Sequence, residues 1–124
     1  MEPLEIGKIE IEFYRTLVPS ADKAKVIITG QQVYHINVRH NGNFDSYGKR
    51  FIPEILKNPD AIRADKKHPE NTVILLKSFQ IEDKTLRFYL VLRLHTPQDN
   101  PDYCNSIISF WYIHKKEYDR LMNG

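Results

Sequence analysis

Apolar residues recur at every second position over residues 85–95, TLRFYLVLRLH. Because successive side chains of a strand point to opposite faces of a sheet, this pattern predicts a strand. One face should pack against helices and carries Leu86, Phe88, Leu90, Leu92 and Leu94. The other face carries Thr85, Arg87, Tyr89, Val91, Arg93 and His95. We therefore expect a sheet with one buried face and one open face that bears cationic and aromatic side chains.

Weaker patterns of the same kind predict the other strands. Alternation predicts a strand over residues 7–17, GKIEIEFYRTL. Apolar runs predict strands at 72–80, TVILLKSFQ, and at 106–113, SIISFWYI, and a shorter strand precedes them within 60–71, DAIRADKKHPEN. The EDK segment at 82–84 has the composition of a hairpin turn.

Apolar residues at helical spacing predict three helices. The first is QQVYHINVRH at 31–40, with Thr29 as its N-cap. The second lies within YGKRFIPEILKNP at 47–59, where Pro53 should mark the first turn, since proline is costly deeper in a helix. The third is a short amphipathic helix over HKKEYDRLMN at 114–123.

These elements predict an α+β fold with two N-terminal helices packed on one face of an antiparallel sheet of about four strands, and a short C-terminal helix. The 124 residues fit one domain, 1–124, with 1–25 as an N-terminal strand extension and 26–124 as the core. No apolar run approaches the ~20 residues that span a bilayer. The N-terminus is acidic, where a secretory signal would be basic. We therefore expect a cytoplasmic protein without a membrane partner.

The first predicted helix carries the most suggestive polar residues. At about 100° per residue, Gln32, His35 and Arg39 fall on one narrow stripe, whereas His40 falls among apolar positions. His40 is therefore predicted to be a packed, hydrogen-bonded structural residue near the helix end, and His35 to lie with Arg39 where solvent or substrate reaches it. Paired helical metal ligands need i, i+4 spacing, which His35 and His40 miss by one residue. We expect no metal and no other cofactor.

Two strand positions allow more than one interpretation. In NSIISFWYI, Ser109 and Trp111 share a face with Ile107, but both faces contain apolar residues, so the pattern does not decide which is buried. Lys77 interrupts an apolar strand, where a lysine is costly unless its ammonium reaches water or an anion. It is either a phosphate-binding residue or a lysine at a strand edge or end.

The order of several short motifs resembles the phage-associated branch of the barnase–EndoU–colicin–RelE-like (BECR) nuclease superfamily. The motifs are TGQQVYHINVRH, FIPEILKNPDAIRADKK, NTVILLK, LVLRL and NSIISFWYI. The resemblance begins at Val26 and leaves the N-terminal strand outside it. It implies a metal-independent RNA endonuclease of toxin or effector type, in which a ribose 2′-OH attacks the adjacent phosphorus to give a 2′,3′-cyclic phosphate. It also implies RNA as a partner and an immunity protein or antitoxin as an inhibitor.

The resemblance gives individual residues catalytic roles. It implies that His35 is the acid or base on the helix and that Ser109 contributes a hydrogen bond to phosphate. Arg93 would neutralise the charge that develops on phosphorus. We include Arg39 in the catalytic group because it shares the polar stripe of His35.

The remaining candidates are expected to bind substrate. Lys77 would also neutralise phosphate charge, and Tyr89 or Trp111 would stack a base. Arg87 belongs to the same cationic and aromatic face of its strand as Tyr89.

Other interpretations of the same residues remain open. Arg39 could instead hold the fold together through an ion pair with Asp60 or Asp65. The basic and aromatic surface could belong to a non-catalytic RNA- or nucleotide-binding module of a phage or mobile element. It could also be the solvated face of an interaction domain.

Overall fold

A six-stranded mixed sheet forms the frame of the molecule, and its strand order is β1-β2-β6-β5-β4-β3. The computed structural model describes residues 3–124. The strands are β1 Leu4–Lys8, β2 Lys25–Ile28, β3 Ala61–Ala64, β4 Thr72–Ile81, β5 Lys84–Arg93 and β6 Asn105–Ile113. Neighbouring strands are antiparallel except β2 and β6, which are parallel.

Within the described residues, four α-helices accompany this sheet: α1 Ile11–Tyr14, α2 Gly30–Arg39, α3 Lys49–Lys57 and α4 Lys115–Asn123. A π-helical segment, Phe44–Gly48, leads directly into α3. Pro53 lies inside α3 rather than in its first turn, which differs from the prediction.

The α+β class is confirmed, but the predicted sheet of about four antiparallel strands with two N-terminal helices on one face is wrong. The segment before α2 is a strand, β2, whose four residues are too few to show a period. It pairs in parallel with β6 and adds β1 to the sheet. The two helices also contact different parts of the sheet, because α3 contacts β1 and β4 whereas α2 contacts β6.

The predicted strand over 7–17 is also wrong. The strand ends at Lys8, and residues 11–14 form the single helical turn α1. The alternation breaks there, because Tyr14 is fully buried whereas Phe13 is 64% exposed. Tyr14 donates a hydrogen bond to the carbonyl oxygen of Leu56, so that packing against α3 overrides the strand pattern.

The prediction of the buried face of β5 is confirmed. Phe88, Leu90, Leu92 and Leu94 are completely buried in the main core, and Leu86 packs against it. Leu90 pairs with buried residues of both neighbouring strands, β4 and β6. Helix α3 covers this face with three further buried residues, Ile52, Ile55 and Leu56. Burial of such side chains stabilises the fold by roughly 1.5–3 kcal/mol each.

The opposite face is only partly open. At one end α4 places Tyr118, Leu121 and Met122 against a second, smaller cluster of Ala61, Leu76 and Ile113. The helix occurs where the sequence predicts it. The rest of this face is the uncovered surface on which the candidate site lies.

His95 does not belong to the open face, contrary to prediction. The strand ends at Arg93, so the alternation stops before His95, whose ring is buried. Its Nδ1 lies 2.7 Å from Asp22 Oδ1, and its Nε2 lies 2.9 Å from the carbonyl oxygen of Asn100. The buried Asn105 side chain accepts the His95 backbone N–H at 2.7 Å and donates to the carbonyls of Lys23 and Lys25. These bonds hold the loop after β5 beside β2.

Candidate active site

Helix α2 lies along the part of β6 that β2 leaves unpaired. The two strands pair only at Val26–Asn105 and Ile27–Ser106, and α2 contacts β6 beyond them. The Tyr112 backbone N–H of β6 donates to the side-chain oxygen of Asn43 at 2.7 Å, which satisfies a donor at this edge. The segment that follows α2 thus helps to hold the helix beside the strand.

Local sequence explains why α2 presents its polar stripe to this edge. The Thr29 side chain accepts the Gln32 N–H at 3.1 Å and caps the helix, as predicted. Ile36 is completely buried in the main core and fixes the rotation of the helix. Since His35 and Arg39 lie on other sides of the helix, both remain exposed.

The stripe and β6 together form a small cleft with a volume of about 240 Å³, which we call the His35 cleft. It is lined by Gln32, His35, Arg39, Ile108 and Ser109. The structure thus brings together three of the four residues predicted to be catalytic.

A β-bulge in β6 shapes the His35 cleft. Val91 faces Ser109 and Leu92 faces Ile107, so Ile108 is an extra residue without a partner on β5. Ile108 is 37% exposed and lines the cleft, while Ile107 turns into the core. Ile107 therefore does not share a face with Ser109 and Trp111, contrary to prediction, because simple alternation cannot include an inserted residue.

The charge of Arg39 is uncompensated. Within residues 3–124 no carboxylate lies within ion-pair distance of Arg39, and neither Arg39 nor His35 has a side-chain hydrogen bond. The alternative that Arg39 pairs with Asp60 or Asp65 is wrong. The Asp60 carboxylate accepts from Lys77, and Asp65 accepts the backbone N–H of His68 at 3.1 Å. In the part of the chain that the structure describes, an imidazole and a guanidinium without partners thus flank one cleft.

Arg93, the fourth predicted catalytic residue, lies next to the His35 cleft rather than in it. It lines a hollow of about 420 Å³, the Arg93 hollow, which shares Ile108 with the cleft. Its guanidinium donates to Asp99 Oδ1 at 2.7 Å. This hydrogen bond is the main reason that the pKa of Asp99 is lowered. Arg93 therefore carries a partly balanced charge, with further donors left for a phosphate.

Trp111 and Tyr89 stand side by side on the open face and form part of a three-ring stack with His40. The Trp111 ring lies 4.4 Å from Tyr89 on one side and 4.4 Å from His40 on the other, as measured between ring centroids. Two stacking contacts thus hold the Trp111 ring in place. Tyr89 and Trp111 both line a third cavity, and both rings are half-buried.

Lys77 and Arg87, which were expected to bind substrate, line none of these cavities. Lys77 lies on the same face as Leu75 in the core, and its Nζ is 3.2 Å from Asp60 Oδ1 at the sheet edge. This geometry fits the strand-edge interpretation of Lys77. Arg87 is on the open face but pairs in register with Ile113, which α4 covers.

Sequence analysis missed the loop between β3 and β4. Lys66, Lys67 and His68 in this loop are exposed and line the cavities of the open face. Their only signal in the sequence is a run of basic residues within a segment predicted to be a polar turn.

Residues 3–124 contain neither a cluster of metal-ligand side chains nor a membrane-spanning helix. No three His, Cys, Asp or Glu side chains in this range are grouped as metal ligands would be. Nor is any helix in the same range long and apolar enough to cross a membrane.

Comparison with known families identifies the class of protein to which this chain belongs. Residues 5–116 match the family described as phage-Barnase-EndoU-ColicinE5/D-RelE like nuclease3. The chain therefore belongs to this family of phage-associated BECR nucleases, and the suspected resemblance is confirmed. The match includes the N-terminal segment that the resemblance leaves out. No curated protein and no solved structure matches the chain significantly.

His40 is packed, as predicted, because its ring stacks on Trp111, but within residues 3–124 its side chain has no hydrogen bond. This position lowers its pKa. Burial is the larger cause and the Arg39 charge the second. The unfolded chain therefore binds a proton at His40 more readily than the folded protein, and His40 should destabilise the fold as the pH falls below about 6.5. In His40→Phe, which keeps a stacking ring without a titrating group, we expect a smaller loss of thermal stability between about pH 7.5 and pH 5.

The control is His114→Phe, since His114 is exposed at the N-terminus of α4 and does not contact Trp111. Thermal unfolding of the three proteins at both pH values measures the effect. An identical pH dependence for the wild type and His40→Phe would contradict the prediction.

Proposed function

We propose that this protein is a metal-independent RNA endonuclease that cleaves by transesterification at the ribose 2′-OH. The observation that carries the proposal is the His35 cleft, where an imidazole and a guanidinium that are unpaired within residues 3–124 line one small space with a serine hydroxyl. These are the groups that proton transfer and stabilisation of a phosphorane require.

Each group has a distinct task in this reaction. His35 accepts the proton of the 2′-OH, whose oxygen forms a bond to phosphorus while the bond from phosphorus to the 5′-oxygen breaks. Histidine suits this task because its two protonation states are both accessible near neutral pH. The leaving 5′-oxygen takes a proton from water in the open cleft. The products are a 2′,3′-cyclic phosphate and a 5′-hydroxyl.

The remaining residues stabilise the negative charge of the phosphorane. Arg39 offers a guanidinium fork to the non-bridging oxygens, and Ser109 offers a hydroxyl donor from β6. Arg93 lies in the adjoining hollow and stabilises the same negative charge from there. Asp99 orients its guanidinium. Arg93 thus acts next to the reacting atoms rather than among them.

A toxin or effector role in the cytoplasm is part of the same proposal. The open cleft would then have to be covered in the producing cell by an immunity protein or antitoxin. The residues that such an inhibitor must cover are those of the His35 cleft.

The test is cleavage of a mixed pool of tRNA and single-stranded RNA by the wild-type protein in excess EDTA. We expect discrete fragments that end in 2′,3′-cyclic phosphate. The same sequences with 2′-O-methyl groups should stay intact, because the nucleophile is blocked. Intact unmodified RNA that binds the protein would instead support a non-catalytic RNA-binding module. Cleavage of the 2′-O-methyl RNA would overturn the mechanism.

A further inference from the structure

A third cavity on the open face of the sheet has no role in the reaction described above. It has a volume of about 560 Å³, within the range of ligand sites in proteins. We call it the Tyr89 pocket, and its lining includes Tyr89, Trp111, Val91, Lys66 and Lys67. We propose that the Tyr89 pocket is a subsite for one nucleotide of a single-stranded RNA, away from the bond that is cleaved. This inference rests on the proposed function.

The Tyr89 pocket adjoins the Arg93 hollow, which in turn adjoins the His35 cleft. Val91 and Lys67 line both this pocket and the Arg93 hollow. Ile108 in turn lines both the Arg93 hollow and the His35 cleft. The three cavities are therefore neighbours on the open face, and we expect a strand of RNA bound at His35 to pass from one to the next.

Cationic side chains mark the outer wall of the Tyr89 pocket. Lys66 and Lys67 are exposed, and within residues 3–124 neither has a carboxylate within ion-pair distance. The other cations are engaged, since Arg63 donates to the carbonyl oxygen of Met122 at 3.2 Å and Arg120 pairs with Glu117 at 2.6 Å.

One acidic side chain, Asp65, also lines the Tyr89 pocket, and it accepts the His68 backbone N–H. The two lysines therefore give the pocket an excess of positive charge that suits a phosphodiester.

The floor of the Tyr89 pocket suits a base. Ile74, Val91 and Leu121 provide apolar surface next to the half-buried Tyr89 ring. Tyr89 is held in place because it stacks on Trp111, which in turn stacks on His40. Burial raises the pKa of Tyr89, and Asp65 and Glu117 add to this effect, so that its hydroxyl remains a hydrogen-bond donor. A rigid ring beside apolar surface accepts any of the four bases.

The experiment measures binding of a single-stranded 2′-O-methyl RNA of about ten nucleotides, by fluorescence anisotropy at several salt concentrations. Because this RNA has no free 2′-OH, binding is measured independently of cleavage. For Lys66→Ala/Lys67→Ala we expect the slope of log K against log salt to become shallower by about 1.4, or 0.7 for each lost phosphate contact. For Tyr89→Leu we expect affinity to fall about 5- to 100-fold with the slope unchanged, because only base packing is removed.

Lys49→Ala/Lys57→Ala is the matched control, since both lysines are exposed on α3 and line none of the three cavities of the open face. It should leave the slope of the wild type almost unchanged. The inference is overturned if the wild type does not bind this RNA, or if the control lowers the slope as much as the Lys66 and Lys67 changes do. Loss of the proposed nuclease activity alone would not affect these measurements, so the two failures are distinguishable.

Discussion

Substitution of His35 by alanine is expected to lower kcat for RNA cleavage by about 10²- to 10⁴-fold, the usual contribution of a general acid or base. The imidazole is exposed in the His35 cleft, and no other side chain in the described residues forms a hydrogen bond with it. The cation Arg39 stays in place, so KM should change much less than kcat. Initial rates in EDTA over a range of RNA concentrations give both parameters.

His114→Ala is the matched control for this experiment, because His114 is exposed but lines none of the three cavities. It should cleave RNA at the rate of the wild type. Thermal unfolding shows whether each variant is folded, and His35→Ala should unfold at nearly the wild-type temperature because its side chain is not in the core. Full activity of a folded His35→Ala would falsify the assignment of His35.

The central features of the site follow from local periodicity. The angle between residues of a helix puts His35 and Arg39 on one stripe, and a single buried residue, Ile36, decides that this stripe faces outward. Alternation along β5 likewise fixes which of its residues are in the core and which lie on the face with Tyr89. Both predictions need only the geometry of one element, and the structure agrees with both except at His95, which lies beyond the end of β5.

Contacts between distant segments could not be predicted in this way. Strand β2 is four residues long and pairs in parallel with β6, which lies almost at the other end of the chain. Pairing of this kind leaves no periodic signal in either segment. The bulge at Ile108 is another example, since it follows from the register of β6 against β5 and yet helps to form the His35 cleft.

Alternation also fails to locate a side chain along its strand. Arg87 and Arg93 are on the same face of β5, but Arg87 pairs with Ile113 under α4, whereas Arg93 reaches the hollow beside the His35 cleft. Lys77 is on the opposite face from both, where an ion pair with Asp60 accounts for its charge. Of the cations that a strand carries, therefore, only some can contact the same phosphate.

Arg39→Ala is the second substitution with a large expected effect, a loss of about 10²- to 10³-fold in kcat. Charge on the phosphorane is greater than charge on the ground-state phosphate, so the guanidinium should contribute most in the transition state. Arg39→Lys keeps the charge but loses the two-pronged donor geometry, and we expect it to recover part of the activity. Rates under the conditions used for His35→Ala allow direct comparison of the three proteins.

Arg50→Ala is the control, because Arg50 is an exposed cation on α3 and lies outside the three cavities. It removes the same net charge, so a general weakening of attraction to RNA lowers the activity of both variants equally. Any further loss of kcat in Arg39→Ala is due to the position of Arg39.

Removal of Arg39 should also raise the pKa of His40, because the Arg39 charge is one of the two causes that lower it. This second readout shows whether Arg39 lies where the structure has it, even if cleavage is unaffected. Equal kcat values for Arg39→Ala and Arg50→Ala, together with a raised pKa of His40, would mean that Arg39 is correctly located but is not part of the reaction.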